Sequence, residues 1–282
     1  MIIIADSGTT KTEWAVISKH HSVKKTQTAS FNPYFIDQKF VEESVIENDL
    51  LNELKDKTLR IFFYSAGCGN DSNKRILSEI LMNVFWNARI VIESDLLGAA
   101  RGLLQTNQGI IAVLGTGSNS GFYNGKEIVQ KQPSLGYVLG DEGSGNAIGK
   151  SLLRAYAYKE MPERIEKKFE QQFGRDIQYF IQRLYKDPFP GYYLASFVPF
   201  CVDYKKEEFI RDLIEVNFTS FFEHHILKYS NKGEGLCFAG SVAWAFKDVL
   251  HDVSNKNKVS INCIEKSPLQ SLVDYHYSLS PE

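Results

Sequence analysis

Clustered cysteine is what this 282-residue sequence most plainly lacks. Cys68, Cys201, Cys237 and Cys263 are scattered, with no Cys-x-x-Cys pair. That speaks against a disulfide framework and a thiolate zinc site, and the four read as reduced thiols. An excess of one charge is missing too. Lys plus Arg number 32 against 34 Asp plus Glu, a formal net charge of −2. Such a chain has no bulk drive toward nucleic acid or an anionic membrane. No apolar run approaches the roughly 20 residues needed to span a bilayer. A basic leader is absent, because Met1 runs straight into an apolar stretch, so the cytoplasm is the expected compartment. No low-complexity tract appears. What remains, 43% hydrophobic and 23% charged, is a globular chain long enough for two domains of ordinary size.

The most informative stretch runs from Ile2 to Ile17. Ile2 to Ala5 is apolar, β-branched and too short for a helix, so it reads as a strand. Ser7-Gly8-Thr9-Thr10 is turn chemistry, with Gly8 able to take positive φ, and Glu13 to Ile17 returns as a second strand. A hairpin tip of this kind gathers backbone N–H groups and small hydroxyls at one spot, which suits an anion. Asp6 leaves the first strand beside that spot. A carboxylate next to a phosphate implies a cation between them, which points to nucleotide phosphate with Mg²⁺ held at Asp6. A buried hairpin with a merely polar turn is the alternative on this stretch alone.

Gly109 to Tyr123 repeats the plan: apolar strand, a Gly115-Thr116-Gly117-Ser118 turn, returning strand. Two such hairpins in one chain suggest two related domains facing each other across a cleft. The turn is not a Walker loop, since no Gly-Lys-Ser/Thr follows, and it leads into a strand where a dinucleotide fingerprint needs a helix.

The pair of hairpins resembles the two phosphate motifs of the sugar kinase, actin and Hsp70 ATPase superfamily. The runs Asp6 to Glu13, Gly115 to Asn119 and Gly140 to Ser144 are similar to the signatures of N-acetylglucosamine kinases and BadF/BadG/BcrA/BcrD-type ATPases, and the resemblance extends over nearly the whole chain. It implies an α/β fold of two RNase H-like, actin-like ATPase domains with an interdomain cleft. It implies ATP and Mg²⁺ as cofactors and transfer of the γ-phosphate to a hydroxyl of an N-acetylglucosamine-like amino sugar. The alternative is a BadF-type ATPase that couples hydrolysis to conformational change on a protein partner. The missing cysteine cluster argues against the iron–sulfur activators of the wider family. A small-molecule sugar is the expected partner, neither nucleic acid nor membrane is expected, and a homodimer stays open.

Three short strands followed by alternating helix and strand fit the first domain, residues 1–107. Lys24 to Ser30 reads as an edge strand, Val41 to Leu54 as a helix, Arg60 to Gly67 and Ala88 to Ser94 as strands. Leu104 to Gln108 is the expected hinge. The second domain, 108–282, carries a helical insertion at about 151–230 whose many Phe and Tyr side chains are expected to fill core. Val259 to Ile264 is the expected last strand and Leu269 to Tyr277 the last helix. His224 and His225 are adjacent, so they point different ways on a helix and make a poor metal pair.

Asp95 stands where a strand joins a helix. It reads either as a cap for that helix or as a general base at a strand end. The resemblance makes it the base that takes the proton of the attacking sugar hydroxyl. It assigns Ser7, Gly8, Thr9, Thr10, Lys11, Gly115, Thr116 and Gly117 to phosphate, and Gly240 and Ser241 to adenosine. It places Asn32, Ser118, Asn119, Gly136 and Asp141 on the sugar. From the residues alone, Asn32 could be a simple Asn-Pro turn, Asp141 an acid at a helix start, Lys11 a solvated lysine, and Gly240-Ser241 a tight strand–helix turn. One departure stands out. Where the kinases have a Gly-Gly-Trp stretch, this chain has Pro133-Ser134-Leu135-Gly136-Tyr137, so that wall of the sugar pocket differs.

Overall fold

A computed structural model describes residues 1–18, 22–230 and 235–279. The first sheet has the order β3-β2-β1-β4-β5, built from β1 Ile2–Ser7, β2 Lys11–Ile17, β3 Val23–Ala29, β4 Leu59–Ser65 and β5 Ala88–Ser94. β1, β2 and β3 form an antiparallel meander, while β4 and β5 run parallel to β1. The second sheet holds β6 Gln108–Leu114, β7 Ser118–Asn124, β8 Ile128–Lys131, β9 Leu236–Ala239 and β10 Cys263–Glu265, in the order β10-β9-β6-β7-β8. From its other edge that order is β8-β7-β6-β9-β10, the first sheet's order repeated.

The chain divides into two compact units. One is Met1–Ile111 with Tyr123–Val129 and Ser267–Glu282, and the other is Ala112–Phe122 with Gln130–Lys266. In the first, alternation along the strands feeds two cores. Ile3, Ala5, Trp14, Val16, Ile61 and Phe63 face one side, where the Trp14 ring meets Phe63 edge-on at 5.3 Å and Phe31 at 5.8 Å. Ile4, Ala15, Ile17 and Tyr64 face the other and pack on Leu269, Leu272 and Val273. Those three belong to the helix Leu269–Ser278. The sequence reading grouped that helix with the second domain; here it covers the first sheet. β3 lies at an edge and is mostly exposed, which its lysines and threonines allow.

The segment expected as one helix over Val41 to Leu54 is two, Gln38–Ile46 and Asp49–Asn52. Asn48 causes the break, because its side chain accepts the Leu51 N–H at 3.2 Å and caps the second piece. In the second unit the expected insertion is helical, including Glu163–Phe173, Ile177–Lys186 and Glu208–His224. Its aromatic residues do fill core: Phe169, Phe197, Phe200, Phe218, Phe221 and Phe222 are all buried. The last strand is shorter and later than expected, Cys263–Glu265. Cys237 and Cys263, read as reduced thiols, form a disulfide. They face each other in the parallel register of β9 and β10 with Cα atoms 4.8 Å apart, a closeness that their separation in the chain hides. Among the described residues, no helix is long and apolar enough to cross a membrane.

Candidate active site

In the first unit the polar residues gather where the parallel strands β1, β4 and β5 end, the edge at which open α/β sheets place ligands. The Gly8 N–H donates to the Lys11 carbonyl at 3.0 Å and closes a tight turn with Thr9 and Thr10 at its tip. The Ser30 hydroxyl donates to the Gly8 carbonyl at 2.6 Å and ties the turn to the loop after β3. Ser7 departs from its expected role as a phosphate ligand. Its buried hydroxyl accepts from Thr12 Oγ1 at 2.8 Å and from the Phe31 N–H at 3.1 Å, so its side chain braces the turn from within.

Asp6 is the next-to-last residue of β1, beside this turn. Burial pushes its carboxyl up to about 7, the Asp95 and Glu13 carboxylates push the same way, and Lys11 opposes them. Sequence reading missed Glu13. Its signal was the tight turn itself, which sets the register and places Glu13 opposite Asp6. Lys11 pairs with Glu13 at 2.9 Å. The residues fit a hard divalent cation: oxygen donors in a locally negative field that such an ion would relieve. No cluster of three or more metal-ligating side chains occurs among the described residues.

Asp95 begins the helix Asp95–Leu104, but the capping is done by Ser94, whose hydroxyl accepts the Leu97 N–H at 3.2 Å. Asp95 Oδ1 accepts the N–H of the next residue, Leu96, at 2.8 Å. Its charge acts on Asp6, so the two aspartates share one end of the sheet. Asn32 is buried and its Oδ1 accepts the Tyr34 N–H at 3.1 Å, the turn bond that Asn-Pro leads one to expect. Gly67, which sequence reading left aside, makes room for it. Gly67 has φ +84°, and a Cβ there would lie 2.6 Å from Asn32 Oδ1.

In the second unit the Gly115-Thr116-Gly117 turn is held by the start of the helix Gly145–Ala157. Gly145 N–H donates to the Gly115 carbonyl at 2.8 Å and Asn146 N–H to the Thr116 carbonyl at 3.0 Å. Asp141 lies before that helix rather than on it; Ser144 is the cap. With φ +60°, Asp141 turns its carboxylate back to the turn. Oδ1 accepts the Ser118 N–H at 3.3 Å and Oδ2 accepts from Asn146 Nδ2 at 2.7 Å. Burial raises its carboxyl above the usual range while those two bonds pull it down. The Ser118 hydroxyl is buried with no hydrogen-bond partner. An orphaned hydroxyl beside a carboxylate is what a polar ligand group would satisfy. Asn119 Oδ1 accepts the neighbouring Ser120 N–H at 3.0 Å.

A buried chain of bonds backs Asp141, and no sequence pattern announced it. His225 Nε2 lies 3.3 Å from Glu142 Oε2, His225 Nδ1 lies 3.2 Å from Ser120 Oγ, and Ser120 meets the Tyr229 hydroxyl at 2.8 Å. Gly136, at φ +70°, opens a one-turn helix Gly136–Leu139, and a Cβ there would touch nothing. Gly240 is the opposite case. At φ +120°, a Cβ would lie 2.2 Å from the Leu114 carbonyl oxygen, so only glycine fits between β9 and the helix Ser241–Ala245. Ser241 is exposed at the start of that helix.

Two sheets of one repeated strand order, each carrying a Gly/Thr turn between its first two strands, define an actin-like ATPase fold. No family model matches the chain. A solved structure of a candidate N-acetylglucosamine kinase from Porphyromonas gingivalis is 33% identical, covers 99% of both chains and superposes with a TM-score of 0.91. At that identity and coverage the chain belongs to the same family, the N-acetylglucosamine kinase branch of the sugar kinase, actin and Hsp70 superfamily. A candidate N-acetylglucosamine kinase from Chromobacterium violaceum shares the fold, at 15% identity, 97% and 98% coverage and a TM-score of 0.77. The N-acetylmuramic acid/N-acetylglucosamine kinase of Clostridium acetobutylicum is 27% identical over 131 residues. That match spans 46% of this chain and 42% of the relative's length.

Proposed function

We propose that this protein is an ATP- and Mg²⁺-dependent kinase that transfers the γ-phosphate to a hydroxyl of an amino sugar of the N-acetylglucosamine type, working in the cytoplasm. The observation that carries the reading is the division of labour at Ser94 and Asp95. The N-cap bond to Leu97 falls to Ser94, and Asp95, which accepts the adjacent Leu96 N–H, stands at the strand end where its charge reaches Asp6. As general base, Asp95 takes the proton of the attacking hydroxyl. Asp6 holds hydrated Mg²⁺; bound there, the ion neutralises phosphate charge. Thr9 and Thr10, at the tip of the turn that the Gly8 N–H closes, and Lys11 offer donors to phosphate oxygens, and the Gly115-Thr116-Gly117 turn does the same. Asp141, with Ser118, Asn119 and Asn32, positions the sugar, and Gly136 gives it room. Gly240 and Ser241 admit the adenosine.

A screen of ADP release across sugars, with a no-sugar control, tests this. Release that needs an N-acetylated amino sugar is expected. A second reading, an ATPase acting on a protein partner, is favoured by one observation: Val138 and Leu139, which directly follow the altered Pro133–Tyr137 wall, are 65% and 74% exposed. Equal ADP release with and without every sugar would select it.

A further inference from the structure

The first sheet carries a cavity at the end away from the Thr9–Thr10 turn. Its position follows from register: Ile2 and Arg60 are paired where β1 and β4 begin, and Asp6 lies near the end of β1. The cavity, open to solvent on one side, has a volume of about 200 Å³ and is lined by Ile2, Arg60, Phe62, Arg101, Tyr275, His276 and Leu279.

Arg60 and Arg101 both line this space, and neither belongs to an ion pair among the described residues. Arg60 lies over the Phe62 ring at 5.3 Å. Arg101 sits 5.9 Å from both the Tyr64 and Tyr275 rings and donates through Nη1 to the Tyr64 hydroxyl at 3.2 Å. Its Nε is buried with no hydrogen-bond partner. A buried donor left unpaired is costly, and an acceptor entering the cavity would remove that cost. His276, stacked on Phe62 at 4.0 Å, closes the other wall and meets Tyr64 at 2.8 Å. Burial first, and then both arginines, hold its ring below the usual titration range, so their positive charge reaches this wall even though the Glu93 carboxylate also acts on Arg101.

Two guanidinium groups with no carboxylate partner among the described residues suit a dianion, and a fork matches phosphate oxygens in pairs. The volume admits a phosphate with a few carbon atoms, and the Phe62 and Tyr275 rings suit the apolar part. We propose that this cavity binds a small phosphate monoester, at a site separate from the phosphate turns. The site is not isolated. Tyr64, which Arg101 and His276 both grip, packs against Gly98 so closely that a Cβ there would lie 2.8 Å from its ring. Gly98 belongs to the helix that begins at Asp95.

Titration calorimetry of the full chain with inorganic phosphate, then glycerol 3-phosphate, tests the proposal. Saturable binding with a dissociation constant of about 1 mM or tighter is expected. Arg60→Gln, a change at an exposed side chain, should weaken it about tenfold, and Thr116→Val should leave it in place. Arg101→Lys, which keeps the charge and loses the fork, should weaken it as well. Melting curves on the same samples confirm that each variant is folded. Absence of saturable binding, or an affinity that Arg60→Gln leaves unchanged, overturns the proposal.

Discussion

At the scale of single residues, neighbouring positions with similar chemistry take different tasks. From the sequence, Asp95 reads either as a cap for its helix or as a general base, and Ser94 beside it is passed over. The structure gives the cap to Ser94, because only the residue just outside the helix has the extended backbone that lets a side chain reach the third N–H. Ser7 went the other way: its place in a turn made it look like a phosphate ligand, and its burial shows a brace. Gly240 reads from the sequence as an adenosine residue or a tight strand–helix turn; what it meets is the Leu114 carbonyl, from a strand more than a hundred positions earlier. Gly240→Ala should therefore destabilise the fold by roughly 3 kcal/mol, combining overpacking with a positive φ. A lowered urea midpoint would show it; an unchanged midpoint would mean that the turn can relax. His276 supplies the pH prediction. Its pKa is held at about 4, against 6.5 for an ordinary histidine, first by burial and then by Arg101 and Arg60. The unfolded chain then takes up the proton more readily than the folded one. Stability from this residue is complete above pH 6.5 and is lost as pH falls toward 4, at up to about 1.4 kcal/mol per pH unit. Between pH 6.5 and 5, stability should fall more steeply in the parent than in His276→Gln. Parallel curves would contradict the assignment.

At the scale of elements, the strands were the most legible part, because β-branched runs bounded by small polar residues leave little else to form. The hairpin register was readable too, and it contained Glu13 opposite Asp6 for anyone who followed it across the turn. Helix boundaries were harder. Val41 to Leu54 keeps an apolar spacing throughout, so periodicity alone joins what Asn48 divides. Asn48→Ala should cost about 1 kcal/mol by removing the cap on Asp49–Asn52, measurable as a shift in denaturation midpoint with unchanged slope. The Cys237–Cys263 pair was hidden because strand adjacency in a parallel sheet is set by the intervening fold. The bonds of His225 to Glu142 and Ser120 were hidden for the same reason: the partners lie 83 and 105 positions away.

At the scale of the whole molecule, one repeated hairpin in the sequence announced one repeated sheet, and the strand order confirms the repetition. The last helix broke the simple division into an early and a late half. Its apolar face could have covered either sheet, and nothing local in Leu269 to Tyr277 says which. The two Gly/Thr turns, the aspartates at the strand ends and the family membership all point toward phosphoryl transfer, and Asp95 is where that account is most exposed. Steady-state kinetics of Asp95→Asn with ATP, Mg²⁺ and N-acetylglucosamine, beside melting curves of the same samples, test it most directly. Asn keeps the shape of the side chain but cannot take a proton. Turnover should drop about 10²–10⁴-fold with KM nearly unchanged and the melting temperature preserved. Sugar-dependent turnover near the parental rate would contradict the account and shift attention to Asp141.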